Sequence, residues 1–192
     1  MSRKSIACIA LVTAALGALP SLTLAAANGG RFTLTSTDVG EGKAIAMDQV
    51  LNGFGCSGAN VSPELKWTDP PAATKSFALT VYDPDAPTGS GWWHWVVVDI
   101  PAATRELPKG VGKSGTVSLP GGARQTRTDF GSPGYGGPCP PQGNKAHRYV
   151  FTLTALDIDK LPVPDDASGA LVGFNVGAHT LAKATITAQY GR

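Results

Sequence analysis

The sequence predicts a single, mainly β domain with one helix late in the chain, and three observations carry that prediction. Apolar and β-branched residues alternate in several short runs, the period of a strand with one buried side. The runs are separated by segments dense in Gly, Pro, Ser and Thr, which turn a chain rather than coil it; the 192 residues include 24 Gly and 15 Pro. One stretch near the end, 165–181, carries apolar residues at helical spacing.

The first segment stands outside that domain. Arg3 and Lys4 precede an uncharged run from Ile6 to Leu19, then Pro20 and small residues ending Ala25-Ala26-Ala27. A basic start, an apolar middle and an A-x-A site make residues 1–27 a secretory signal peptide. Its apolar run falls short of the roughly 20 residues of a stable membrane span, which sets aside the rival, an uncleaved anchor. Cys8 lies inside the run, not at its end, which argues against lipoprotein processing. A periplasmic or secreted protein is expected, with residues 28–192 as one domain of adequate size for its own core. Removing Arg3 and Lys4 from the 16 Lys and Arg leaves 14, against 14 Asp and Glu. The pI of 8.5 therefore belongs to the leader. The near-neutral remainder lacks the basic footprint of a nucleic-acid binder, and no later stretch is apolar enough to span a membrane.

Strands are expected at Arg31–Thr37, Ser76–Asp83, Trp93–Ile100, Arg148–Asp157 and Ala184–Tyr190, with a weaker candidate at Val61–Trp67. The region Pro101–Asn144 reads as loop. For the helix, Asp165, Asp166 and Ser168 are N-cap candidates. Ala167, Ala170, Leu171, Phe174, Ala178 and Leu181 form its apolar face, with Gly169, Gly173 and Gly177 on a neighbouring one. Close packing on a sheet explains the glycines better than a membrane dimer, for which the segment is too polar and short. Cys56 and Cys139, the two cysteines left after the leader, sit in Gly/Pro-rich loops. An even count in an exported chain favours a disulfide between them, the other reading being two separate thiols.

Three strands deliver polar groups to one end. In SFALTVYD, Phe77, Leu79, Val81 and Asp83 share a face; in WWHWVVVDI, Trp92, His94, Val96, Val98 and Ile100 do; in HRYVFTLTA, His147, Tyr149, Phe151, Leu153 and Ala155 do. The short connection PDAPTGSG makes the first two strands an antiparallel pair, bringing Asp83 and His94 to one rim. His147 joins them if its strand runs parallel in direction to that of His94. The GGPCPP turn then forms a wall, and His147 and Tyr149 face a pocket. Imidazoles, a phenol and backbone N–H groups donate to a small anion, Trp92 offers an apolar wall, and Asp83 orients a histidine, favouring its protonated form, or accepts from a ligand. Each residue also has a structural role open to it: rim histidines are commonly packing groups, and DPDAP is an ordinary turn composition. Two histidines and a carboxylate at one rim favour the functional role.

Other chemistries have thinner support. No close-spaced pair such as H-x-x-x-H suggests zinc, and no metal or cofactor is expected. The G-C-S-G-A of residues 55–59 breaks the serine-hydrolase turn at its last position. Cys139 near His147 is a nucleophile only without the disulfide. His179 has no evident partner in the sequence.

DPDAP at 83–87, WWHW at 92–95, GGPCPP at 136–141 and HRYVFTLTALD at 147–157 resemble the phosphatidylethanolamine-binding protein family. With LNGFGCSGANVSP at 51–63 and HTLAKATITAQYGR at 179–192, the likeness extends over residues 31–192 to its bacterial YbhB/YbcL-like, Raf-kinase-inhibitor-like branch. The resemblance implies a large antiparallel sheet with a smaller flanking sheet and a C-terminal helix. It also implies a small anion pocket at one edge of the main sheet, carried onto Asp83, Ala86, Trp92, His94, Gly137, Pro140, His147 and Tyr149. Members are chiefly binders of phospholipid headgroups, kinases or proteases. The expected role is thus an exported, non-enzymatic binder of a phosphate-bearing or zwitterionic small molecule. The alternatives are an inhibitor of a kinase or peptidase and a hydrolase of small esters or phosphoesters; a homodimer is a further expectation.

Overall fold

A computed structural model describes residues 30–192, so the proposed leader at 1–27 lies outside the described residues. The described residues form ten strands and one α-helix: β1 (Thr33–Thr35), β2 (Asn52–Gly53), β3 (Cys56–Ser57), β4 (Leu65–Thr68), β5 (Ser76–Asp83), β6 (Trp92–Pro101), β7 (Glu106–Leu107), β8 (Arg124–Gln125), β9 (His147–Leu156), α1 (Gly169–His179) and β10 (Thr180–Tyr190). A five-stranded antiparallel sheet runs β10-β9-β5-β6-β8, a three-stranded sheet runs β1-β4-β7, and β2-β3 is a separate hairpin. The mainly β architecture with a late helix is as the strand and helix patterns predict, and the large sheet with a smaller one is as the family resemblance implies.

The large sheet is buried on both faces at its centre. Phe77, Leu79, Val81, Trp95, Val97, Phe151 and Leu153 pack toward Leu34, Leu65 and Trp67 of the small sheet, while Ala78, Val96, Val98 and Leu156 pack under α1. A strand covered on both sides loses its need for polar residues, which is why β6 reads WVVV without alternation. β10 keeps the alternation, burying Ala184, Ile186 and Ala188 and exposing Lys183, Thr185 and Gln189. Its outer edge is covered by residues 42–45, whose Gly42 and Ile45 N–H groups donate to the Thr187 and Gln189 carbonyls.

Two predicted faces differ from the observed ones. Val96 and Val98 do not share a side with His94 and Ile100: they lie under the helix, whereas Trp95, Val97 and Ile100 enter the larger core. The cause is two register shifts against β5. Val81 pairs with Trp95 and Tyr82 with Trp93, leaving His94 as an extra residue, and a second shift falls between Phe77↔Ile100 and Leu79↔Val97. Asp99 sits in the second bulge at φ +58. Its carboxylate accepts from the Leu161 N–H at 2.8 Å and from Arg124 Nε at 2.7 Å, which suits a residue type that tolerates the left-handed region.

The helix also turns its other side inward. Ser168 caps it, accepting from the Leu171 N–H at 3.2 Å. The buried residues are Gly169, Val172 and Val176, while Leu171 is 42% and Phe174 81% exposed. Leu181 falls in β10, beyond the helix. Of the three glycines only Gly169 packs closely, against the Trp93 ring: a Cβ there would lie 2.3 Å from Trp93 Cγ.

Candidate functional site

The β5–β6 hairpin pairs Asp83 with Trp92, and β9, antiparallel to β5, brings its first residue His147 to the same rim. His147 Nδ1 lies 2.7 Å from Asp83 Oδ2, with both side chains buried. A carboxylate only accepts, so the proton of this bond sits on Nδ1 and the Nε2 edge faces away from Asp83. The other oxygen of Asp83 accepts the Asp85 N–H at 2.8 Å, so both oxygens already have internal partners.

The next residue along β9 pins the same turn from outside. Arg148 donates to Asp85 from its backbone N–H and Nε, both at 2.9 Å, and from Nη2 at 2.7 Å. The guanidinium holds the Asp85 carboxyl down at about 2. Within the triplet His147-Arg148-Tyr149, the first two side chains thus lock the DPDAP turn to β9. The third, Tyr149, points into the core side.

His94 is placed by its bulge against the loop 130–137. Its Nδ1 lies 2.7 Å from the Gly136 carbonyl, to which it donates. Burial pushes its pKa below 6.5, outweighing the Gly136 carbonyl and the Asp83 carboxylate that pull the other way, so the ring is neutral with its proton on Nδ1. His94 stands edge-on to Tyr149 at 5.1 Å and to Phe130 at 5.4 Å. Burial likewise pushes the Tyr149 phenol up, so it remains an O–H donor across ordinary pH.

A cavity of about 150 Å³ opens among these groups. Seven of the eight expected residues, Asp83, Ala86, Trp92, His94, Pro140, His147 and Tyr149, line it. Gly137 does not. Its N–H is spent on Asn60 Oδ1 at 2.7 Å, and a Cβ there would lie 2.0 Å from the Gln49 carbonyl oxygen. Gly137 is thus a close-approach glycine that seats the Pro-rich turn on residues 49–51. Two donors of cavity residues, Trp92 Nε1–H and the Tyr149 hydroxyl, are buried without a hydrogen-bond partner among the described residues. Such groups are few in folded proteins and ask for an explanation.

Phe54 and Phe130, both lining the cavity, were not singled out from the sequence. Their rings stack at 5.9 Å, and Phe130 stands edge-on to Trp92 at 5.4 Å. They come from loops 76 positions apart, and no local pattern in the sequence points to their contact; Gly136 packs under Phe130, where a Cβ would lie 2.2 Å from Phe130 Cε2. Cys56 and Cys139 form a disulfide that ties the Phe54 loop to the GGPCPP wall. In that state Cys139, which also lines the cavity, offers no thiolate. Ser57 lies in β3 and does not line the cavity, and the Thr88 hydroxyl at the rim donates to the Gly91 carbonyl at 2.5 Å. His179 does have a partner, Asp157 Oδ1 at 2.9 Å, on the surface away from this site. The arrangement is a small, partly apolar chamber lined by residues that carry hydrogen-bond donors.

Residues 35–191 match the family model described as phosphatidylethanolamine-binding protein. The chain is 58% identical to the UPF0098 protein YbhB of Escherichia coli (strain K12) over 157 residues, 82% of this chain and 98% of the relative. It is 51% identical to the UPF0098 protein YbcL of the same organism over 164 residues, 85% of this chain and 90% of that one. The crystal structure of E. coli YbcL, described as a new member of the mammalian PEBP family, matches with a TM-score of 0.82 at 50% identity. That match covers 85% of this chain and 99% of the other.

Proposed function

The chain belongs to the phosphatidylethanolamine-binding protein family, and from that premise we propose that it is an exported binding protein whose rim cavity takes the phosphate of a small phosphomonoester. The observation that carries this proposal is the pair of buried, partnerless donors, Trp92 Nε1–H and the Tyr149 hydroxyl, beside two histidines in one cavity. An anion with several acceptor oxygens supplies what those donors lack, and a buried donor left unmade costs roughly 1–3 kcal/mol. The leader-like residues 1–27 support export.

The organic part of the ligand is favoured by the collar rather than by Asp83. Both oxygens of Asp83 have internal partners, so its role is to hold His147. Phe54, Phe130, Pro87 and Pro141 make the mouth apolar. A phosphomonoester carrying a short organic substituent gains contact there that inorganic phosphate does not.

Calorimetric titration of residues 28–192 with phosphate and with phosphoethanolamine tests the proposal, alongside folded His147→Ala and His94→Ala variants. Saturable binding that each substitution weakens by about fivefold or more is expected. Absence of binding by folded wild type to both ligands would sink it.

A further inference from the structure

The mouth of the cavity is held by a residue far from it in sequence. Arg192, just beyond β10, donates from Nε to the Pro140 carbonyl at 2.7 Å, from Nη1 to the Gly55 carbonyl at 2.9 Å and from Nη2 to the Phe54 carbonyl at 3.3 Å. Its own carbonyl accepts the Gly143 N–H at 3.0 Å. One planar guanidinium thereby bridges the two loops that the Cys56–Cys139 disulfide also joins. Phe54 needs such support. It has φ +52 between Gly53 and Gly55, a backbone conformation unfavourable for a residue with a side chain, and the residue is 71% exposed. Left alone, an exposed aromatic residue in that conformation has little to keep it over the cavity. The stack on Phe130 and the clamp on its own carbonyl supply the restraint.

We infer that Arg192 is a positioning residue for ligand binding. Together with the disulfide it fixes the Phe54 lip and the Pro140 wall across the mouth, so that a bound phosphomonoester leaves only when the lip yields. This inference rests on the proposed phosphomonoester pocket. Pre-organising a wall lowers the ordering cost of binding and shows chiefly in the dissociation rate.

The test compares oxidised wild type with Arg192→Ala, Arg192→Lys, Phe54→Ala and the Arg192→Ala/Phe54→Ala double variant, each titrated with phosphoethanolamine. Arg192→Ala is expected to weaken binding about tenfold, mainly through faster dissociation. The double variant is expected to lose less than the product of the two single losses, because Arg192 acts in part through Phe54. A lysine ammonium is a single nitrogen and does not reproduce the planar fork of three nitrogens that meets these carbonyls, so Arg192→Lys restores only part of the loss. Full recovery with lysine would reduce the effect to charge attraction, and wild-type affinity in Arg192→Ala, or losses that simply multiply in the double variant, would overturn the inference. Amide hydrogen exchange of residues 52–57 in ligand-free protein reads the lip by itself, with exchange about tenfold faster in Arg192→Ala. Unchanged exchange overturns the clamp. Failure of wild type to bind phosphate and phosphoethanolamine, with faster exchange in the variant, would locate the error in the pocket assignment instead.

Discussion

Tyr149 separates the demands of folding from those of the proposed site. Its hydroxyl is buried without a hydrogen-bond partner among the described residues, in a residue only 1% exposed, so the ligand-free fold gains nothing from that oxygen and pays for its desolvation. The Tyr149→Phe variant keeps the ring that packs against His94 and deletes only the oxygen. The expected outcome has opposite signs in two measurements: unfolding stability without ligand unchanged or raised by up to about 1 kcal/mol, and phosphomonoester affinity lowered about fivefold. A loss of stability in the melt would mean that the hydroxyl has a structural partner and is no reserve for a ligand. The two histidines do not allow so clean a separation. His147 is bonded to Asp83 and His94 to Gly136, so replacing either disturbs packing as well as the cavity.

At the level of elements, α1 meets the sheet through a glycine. The helix approaches β6 so closely that the Trp93 ring lies where the Cβ of residue 169 would be, at 2.3 Å. Trp93 cannot retreat easily, since its other neighbour is Tyr82, with centroids 4.5 Å apart. Gly169→Ala should therefore destabilise the domain by about 1–3 kcal/mol in urea unfolding, although alanine is the better helix former. Gly177, with nothing within 4 Å of its Cβ position, should tolerate the same change or gain from it by up to about 1 kcal/mol. This contact also marks how much was legible in the sequence. The helix followed from spacing, with Ser168 one of three N-cap candidates, but the inward face did not, because Leu171 and Phe174 outweigh valines and glycines in any apolar pattern. β5 and β9 were readable to within a residue or two. The alternation of β6 was not, since two bulges and burial on both sides erase the period of two. Asp83 and His94 at one rim were readable from the short hairpin, whereas His147 joined them on a condition about strand direction that β6 and β9, both antiparallel to β5, meet. Phe54 and Phe130 were not, because they meet through loops whose course no local pattern encodes.

For the whole molecule, acid should act on stability and on ligand binding in opposite directions. His94 is kept neutral by burial, with a folded pKa below 6.5. On unfolding it takes up a proton near pH 6.5, so protons favour the unfolded chain. Its contribution is complete above pH 6.5 and is lost as the pH falls toward the folded value, by at most about 1.4 kcal/mol per pH unit for one group. Asp85 adds a second loss lower down. Its carboxyl titrates at about 2 instead of 3.8, so the stability it confers is present above 3.8 and disappears between there and 2. With the Arg148 side chain 55% exposed, that second loss is on the order of 1 kcal/mol. Urea unfolding between pH 8 and 3 should therefore decline monotonically with acid, and His94→Gln should flatten the portion just below pH 6.5. An anion in the cavity reverses the balance at His94, because it favours the charged ring that burial disfavours. Sulfate, whose charge is constant over this range, is the suitable probe. Its stabilising effect on the melting temperature should grow from pH 7.5 to pH 5.5 while the ligand-free protein weakens, and the growth should vanish in His94→Gln. A sulfate effect that is constant with pH in the wild type would mean that the anion does not reach His94.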